Sequence, residues 1–219
     1  MMGKIVQLIK KNPNFVAVNY KFIISLGHGC QPGIHLKRNG LRQTSLPLDW
    51  LSTPSSALIS LFETHFDKFL DKDYLVPREH RAPYHEKIVN TFYNITFFHD
   101  FSVGGLATEL PAVQEKYARR IKRLYSILAS EGPVLFIRTK LDEQYAQQLT
   151  RILSTQFPKL VYTLLVINRE TEELSDWDIP NTIKINTSFA EDTYAMNPTY
   201  DPLWQTLFSC FLYKLEDSP

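Results

Sequence analysis

Cys30 and His99 are the residues in this sequence whose chemistry and surroundings best suit catalysis. A cysteine thiol can attack a carbonyl carbon as a nucleophile. An imidazole can accept the thiol proton near neutral pH and then protonate the leaving group. The two residues lie far apart in sequence, so this chemistry requires a fold that brings their segments together.

The segment around Cys30 is typical of a buried strand that turns directly into a helix. An apolar run breaks at Gly27 and Gly29, and a helix pattern begins at Pro32. Unpaired N–H groups and the dipole at a helix start favour thiolate over thiol. We therefore expect an activated Cys30, with the N–H groups of Cys30 and Gln31 stabilising an oxyanion. The alternative is that Cys30 only fills apolar space between strand and helix.

His99 follows the alternating strand pattern Tyr93-Asn-Ile-Thr-Phe and precedes a Gly104-Gly105 turn. In open α/β sheets, chemistry gathers where strands end, so we expect His99 to be a general base. The alternative is a core histidine bonded to the backbone. The acid that orients its ring is either Asp100 or Asp49, and the sequence does not decide between them. Asp49 could also be only a turn former.

Four further residues are candidates for contact with substrate. Arg138 follows the apolar strand Val134-Leu-Phe-Ile and could bind a carboxylate or phosphate, or a structural acid such as Asp49. Glycine beside the sulfur would let another molecule approach closely. The four candidates are His28, Gly29, Gln31 and Arg138.

Two other patterns have weaker functional interpretations. His80, His85 and Glu86 match no common zinc spacing, so we expect no metal site, and no cofactor is predicted. The helix pattern from 111 to 130 has a basic face. We interpret it as solvated, because aromatic side chains do not interrupt it. Its basic residues are Lys116, Arg119, Arg120, Lys122 and Arg123.

Composition limits the classes of function. The chain has 219 residues, is 44% hydrophobic and carries a net charge of +1, so we expect neither nucleic-acid nor membrane partners. No apolar run reaches the length of about eighteen residues that a membrane span needs. The two cysteines lie in different contexts, which predicts no disulfide and a cytoplasmic location. The oligomeric state stays open.

The predicted fold class is α/β, with a largely parallel sheet flanked by helices on both faces. Nearly continuous apolar strands alternate with helices, most clearly after residue 130. We expect a single domain over residues 1–219. Residues 1–20 are predicted to be a lead-in segment, and residues 71–90, which contain Pro77 and Pro83, a flexible loop or flap.

Four blocks of the sequence resemble a known family. The blocks are Ile24-Ser-Leu-Gly-His-Gly-Cys30, Leu41-Arg with Pro47-Leu-Asp-Trp50, Phe98-His-Asp-Phe101 and Leu135-Phe-Ile-Arg138. Together they resemble a bacterial family of unknown function described as putative papain-like cysteine peptidases. The resemblance implies a thiol hydrolase acting on a peptide or a small acyl or glycan substrate. It also implies Cys30 as nucleophile, His99 as base, and an acid from Asp100 or Asp49.

The order of predicted elements departs from the papain-like plan. Here a strong strand precedes Cys30, and several strands of parallel type follow His99. Two other functions therefore remain open. One is an ester hydrolase or an acyl or glycosyl transferase on a Rossmann-like scaffold. The other is a non-catalytic binding module in which Asp49, His99 and Arg138 only hold loops together.

Overall fold

Two four-stranded sheets, one parallel and one antiparallel, organise the chain. The computed structural model describes residues 2–15, 18–78, 84–130, 132–170, 177–192 and 195–212. The parallel sheet has the order β1 (Phe22–Ser25), β6 (Val134–Thr139), β7 (Tyr162–Arg169), β8 (Thr182–Thr187). The antiparallel sheet has the order β2 (Leu51–Ser52), β5 (Ile95–Phe97), β4 (Lys87–Asn90), β3 (Leu75–Arg78).

Helices cover these sheets. In the described ranges they are α1 (Met2–Lys11), α2 (Gln31–Arg38), α3 (Ser55–Glu63), α4 (Leu106–Leu128), α5 (Glu143–Gln156) and α6 (Asp201–Ser209). Short 3-10 helices occur at Lys72–Tyr74, Ser188–Glu191 and Pro198–Tyr200. Within those same ranges, no helix combines the length and the apolar character needed to cross a membrane.

The parallel sheet separates two hydrophobic cores. Successive side chains of a strand point to opposite faces, so Phe136 of β6 lies in one core and Ile137 in the other. The first core includes residues of α3, α4, α5 and the antiparallel sheet. The second core includes residues of α1, α2 and α6, among them Ile9 and Trp204. The prediction of a parallel sheet covered on both faces is confirmed for these four strands.

The antiparallel sheet corrects the prediction of a largely parallel fold. It lies between α2 and α4 in sequence and includes much of the stretch expected to be a flexible loop or flap. Leu75 lies opposite Asn90 in the β3–β4 pair, so these parts of residues 71–90 are strand. Pro77 is tolerated because β3 is the edge strand and needs fewer N–H donors. Residues 79–83, with His80, lie outside the described residues.

Two boundaries also differ from the predicted ones. The lead-in segment contains α1, whose Ile9 is fully buried in the second core. Helix α4 begins at Leu106 and carries Pro111 inside it, whereas the sequence predicts a start at Pro111. A proline there removes one helical hydrogen bond, but the apolar face of the helix holds it against the first core.

One loop from the parallel sheet and one from the antiparallel sheet meet at a junction between the two sheets. Strand β1 ends at the turn that leads into α2, and β5 ends at the turn that leads into α4. Leu26, just after β1, and Phe101, just after β5, are buried in the same core. The loops that follow the two strands therefore lie beside each other, although one comes from the parallel sheet and the other from the antiparallel sheet.

Candidate active site

Cys30 and His99 meet at this junction. Cys30 is the residue that precedes α2, and its Sγ lies 4.0 Å from Nε2 of His99. This distance is the outer limit of a hydrogen bond to sulfur, and such contacts often tighten only when substrate binds. The two segments therefore come together as the sequence predicts, while the roles of nucleophile and base stay predictions.

The thiol of Cys30 is buried, whereas the imidazole of His99 is exposed to solvent. Burial raises the pKa of Cys30 to about 11, and the negative charges of Asp100 and Asp49 add to that shift. This direction is opposite to the one expected from the helix start, so the thiolate at the resting site stays a prediction. A protonated thiol needs a base before it can attack, and Nε2 of His99 lies 4.0 Å from the sulfur.

The turn before Cys30 has an unusual backbone. Gly27 and His28 both have positive φ angles, 78° and 73°, and this conformation is uncommon for a residue with a side chain. The His28 carbonyl accepts a hydrogen bond from the Thr53 N–H at 3.2 Å. Burial, assisted by the charge of Arg138, lowers the pKa of His28 to about 3, so its ring is neutral. Non-glycine residues held this way often occur at functional sites.

Arg138 binds the backbone on both sides of this turn. Its side chain is 0% exposed, and Nη1 and Nη2 donate to the carbonyl oxygens of Leu26 and Thr53 at 2.8 and 2.6 Å. Burial lowers the pKa of Arg138 to about 9. The predicted contacts with substrate or with Asp49 are replaced by these two main-chain contacts. Arg138 is thus a positioning residue for the segments on either side of the site.

Gly29 and Gln31 flank the sulfur, and both are buried. The first N–H groups of a helix have no acceptor within that helix, and Pro32 has no N–H to contribute. The backbone N–H groups of Cys30 and Gln31 therefore remain the candidates for binding an oxyanion. Contact of Gly29, Gln31 or His28 with substrate stays a prediction.

Asp49 is a buried carboxylate fixed by its own loop. Its Oδ2 accepts hydrogen bonds from Nε and Nη2 of Arg42, at 3.0 and 2.8 Å, and from the Leu46 N–H at 3.0 Å. Burial raises the pKa of Asp49, although these hydrogen bonds and the Arg42 charge oppose the shift. The contacts give Asp49 a clear structural role as the anchor of the loop before β2.

Asp100 faces α4. Its Oδ1 accepts from Lys116 Nζ at 2.7 Å, and its Oδ2 accepts from the Tyr117 hydroxyl at 2.9 Å. Burial and the Asp100 charge both raise the pKa of Tyr117. These contacts direct the Asp100 carboxylate towards α4. The contacts of Asp49 likewise direct the Asp49 carboxylate towards Arg42. Which acid orients His99 stays a prediction.

His85 is a further neighbour of His99. In the sequence it stands out only as a possible metal ligand. Its ring lies 5.9 Å from that of His99 with an angle of 86° between the planes. A β-bridge pairs His85 with Ser102, and Ser102 donates to Glu109 from its N–H and hydroxyl at 2.8 and 2.5 Å. No spacing in the sequence indicates this pairing, because the bridge joins two separate loops. No metal-binding group of three or more His, Cys, Asp or Glu occurs in the described part of the chain.

A groove of about 450 Å³ adjoins His99. One wall is the segment that follows β5, and the other is a face of α4. The groove is lined by His85, His99, Asp100, Phe101, Ser102, Glu109, Ala112, Val113, Lys116 and Arg119. An exposed imidazole within 4.0 Å of a buried thiol and beside an open groove has the arrangement of a cysteine–histidine acyl-transfer site.

Comparison with known proteins places the chain in a family. Residues 21–170 match the family described as "Putative papain-like cysteine peptidase (DUF1796)", and the chain belongs to this family. The chain is also similar to uncharacterized protein R408 of Acanthamoeba polyphaga mimivirus, with 25% identity over 162 residues, 62% of this chain and 71% of the relative. This viral relative gives no support to the expected bacterial origin. No solved structure matches the chain.

Proposed function

We propose that the protein is a thiol hydrolase in which Cys30 attacks a carbonyl carbon and His99 accepts the thiol proton. The observation that carries the proposal is the 4.0 Å separation of Sγ and Nε2 at the start of α2. Membership of a family described as cysteine peptidases supports the same general chemistry. The substrate is an acyl compound, with a peptide as the first candidate.

The proton movements follow from a protonated resting thiol. As the Sγ–C bond forms, the S–H proton passes to Nε2 of His99 and the carbonyl electrons move to oxygen. Collapse of this intermediate breaks the bond to the leaving group, which takes the proton from His99. Water then attacks the thioester with His99 as base, and the departing sulfur recovers its proton.

Backbone groups at the start of α2 would stabilise the negative oxygen. The N–H groups of Cys30 and Gln31 and the positive end of the helix dipole meet there. Gly29 presents no side chain that would block approach to the sulfur. Either Asp100 or Asp49 would stabilise the imidazolium by charge, since charges of both carboxylates act on the Cys30 thiol.

A second candidate function is an ester hydrolase or an acyl or glycosyl transferase. The observation that favours it is the position of Cys30, which follows the carboxyl end of a strand in a parallel sheet. A non-catalytic binding module is the third candidate. It predicts that Cys30→Ser leaves every biological readout unchanged.

Activity screening distinguishes these candidates. The purified protein is tested on peptide amides, simple acyl esters and sugar nucleotides. We expect hydrolysis of amides or esters that Cys30→Ala abolishes and that His99→Ala lowers by about a hundredfold or more. The control variants are Cys210→Ala, which changes the other cysteine, and His65→Ala, whose ring stacks on Tyr125 away from the site. Activity that survives Cys30→Ala would refute the proposal.

A further inference from the structure

The groove beside His99 has a cationic end. It runs along the face of α4 that carries Glu109, Val113, Lys116 and Arg119, and His99 belongs to its lining. Because His99 lines the groove and lies 4.0 Å from the Cys30 sulfur, part of a ligand bound in the groove can reach these two side chains. Its charges therefore affect which substrates the site accepts.

Most charges in the groove already have partners, but Arg119 is available to a ligand. Lys116 pairs with Asp100 at 2.7 Å, and Glu109 accepts two hydrogen bonds from Ser102. Among the described residues, the ion-pair partner of Arg119 is Glu115 at 3.8 Å, and the two side chains are 67% and 77% exposed. An exposed pair of this kind contributes little, so a ligand carboxylate can replace it at small cost.

The helix around Arg119 adds to the positive potential. Residues 115–123 contain five basic side chains and one acidic side chain, in a chain whose net charge is only +1. This local excess favours an anion at the end of the groove. The basic residues are Lys116, Arg119, Arg120, Lys122 and Arg123.

The groove also has an apolar floor. Phe101 and Val113 are buried in the first core beneath it. An apolar floor with a cation at one end suits a short aliphatic stem that carries a carboxylate. In the part of the chain that the structure describes, the groove lining contains no exposed Phe, Tyr or Trp, whereas a single-stranded nucleic acid usually stacks on such side chains.

We propose that this groove selects substrates with a carboxylate close to the scissile carbonyl, bound by Arg119, as in a peptide with a glutamate beside the cleaved bond. This inference rests on the proposed function, because it names the substrate class of the same Cys30–His99 site. The contact between the Arg119 guanidinium and the ligand carboxylate determines the preference for acidic substrates. Lys116 adds positive charge while it stays paired with Asp100.

Binding of capped tripeptides tests this proposal without turnover. The ring signals of His85 and His99 are followed by NMR in the full chain while Ala-Glu-Ala, Ala-Gln-Ala or Ala-Lys-Ala is added. We expect the glutamate peptide to bind about threefold more tightly than the glutamine peptide, which corresponds to about 0.6 kcal/mol and is of the size expected for an exposed ion pair. Arg119→Glu should abolish this preference and make the lysine peptide the best ligand. The matched control Arg123→Glu, on the same helix outside the groove lining, makes the same change in local charge, so it should weaken binding of the glutamate peptide slightly but keep it ahead of the glutamine and lysine peptides.

Equal affinity for the glutamate and glutamine peptides would overturn the proposal, as would an unchanged preference in Arg119→Glu. Tighter binding of a single-stranded oligonucleotide at the same histidine signals would also overturn it. Acylation of Cys30 by a neutral activated ester is measured in parallel. Its absence would refute the proposed function, whereas the peptide preference would still decide whether the groove recognises acidic groups.

Discussion

Burial determines the resting protonation state of Cys30. The sulfur lies at a helix start, yet the surrounding side chains exclude water and two carboxylates are near, and both factors disfavour a thiolate. A cysteine of this kind is slow to react until a substrate and a base are in place. On the proposed mechanism, the reactivity of Cys30 would therefore depend on His99.

Titration of the thiol tests this view. Because the pKa of Cys30 is raised to about 11, we expect no thiolate from Cys30 below pH 9. The ultraviolet absorbance of thiolate is compared between the intact protein and Cys30→Ala. A raised folded pKa adds stability below the unfolded pKa of about 8.5, and this contribution is lost as the pH rises towards 11. A Cys30 thiolate already present near neutral pH would contradict the raised pKa of this thiol.

Arg138 offers a second test at the residue scale. Lysine has one nitrogen and cannot donate to Leu26 and Thr53 in the same geometry, so Arg138→Lys should lower the free energy of unfolding by about 2–4 kcal/mol. Acyl transfer should slow as well, because the turn before Cys30 is no longer fixed. Unfolding in denaturant and single-turnover rates measure the two effects. The control Arg151→Lys, at an exposed position of α5, should change neither.

At the scale of elements, α2 is positioned by close contact with the loop before β2. A side chain at Gly33 would place a Cβ 2.8 Å from the Asp49 carbonyl oxygen, which is part of the backbone. Helix α2, which Cys30 precedes, therefore depends on a glycine in its first turn. The backbone of Asp49 therefore packs against α2, while its carboxylate binds Arg42.

We predict that Gly33→Ala destabilises the protein and slows Cys30 acylation together. The added methyl group forces α2 away from the loop and moves the sulfur relative to His99, at a cost of about 1–3 kcal/mol. The control is Gly3→Ala in α1, where no atom lies within 4 Å of the new Cβ, and this change should be neutral or slightly stabilising. Equal behaviour of the two variants in thermal unfolding would refute the positional argument.

The sequence predicts the parallel sheet and its helices well, because β1, β6 and β7 are buried and nearly continuous in apolar residues. It does not predict the antiparallel sheet. Strand β2 has only two residues, and β3 contains Pro77 and an exposed end, so neither has a recognisable pattern. Those strands pair across loops, and pairing of that kind leaves no local signal.

The sequence predicts the candidate site only in part, as it does the fold. Cys30 and His99 stand out because each follows a strand and has a reactive side chain. The partners of Asp49, Asp100 and Arg138 are not predictable, because they depend on side-chain direction after folding. Asp100 binds Lys116 of α4 only because that helix lies beside the end of β5.

At the scale of the molecule, α6 closes the second core over α2. The rings of His35 and Trp204 stack with centroids 4.6 Å apart, and His35 Nδ1 lies 3.3 Å from Asp201 Oδ1. Burial lowers the pKa of His35 to about 4, against the effect of Asp201. The helix that carries Cys30 at its start thus packs against the C-terminal helix on its other side.

We predict an acid-sensitive contact between these helices. The folded pKa of His35 is depressed, so its contribution to stability is present above about pH 6.5 and is lost as the pH falls towards 4. His35→Leu should make the free energy of unfolding less dependent on pH within that range. Denaturant unfolding at several pH values measures the slope, and an unchanged slope in the variant would show that other groups cause the acid sensitivity.

The proposed catalytic pair comes from both sheets, since the thiol follows β1 of the parallel sheet and the imidazole follows β5 of the antiparallel sheet. The most direct test is to trap an acyl group on Cys30. The protein is mixed with an activated acyl ester, quenched in acid and digested, and the acylated peptide is identified by mass spectrometry. The account predicts a hydroxylamine-sensitive thioester on Cys30 that forms about a hundredfold more slowly in His99→Ala. An unmodified Cys30, or acylation at the same rate without the imidazole, would contradict it.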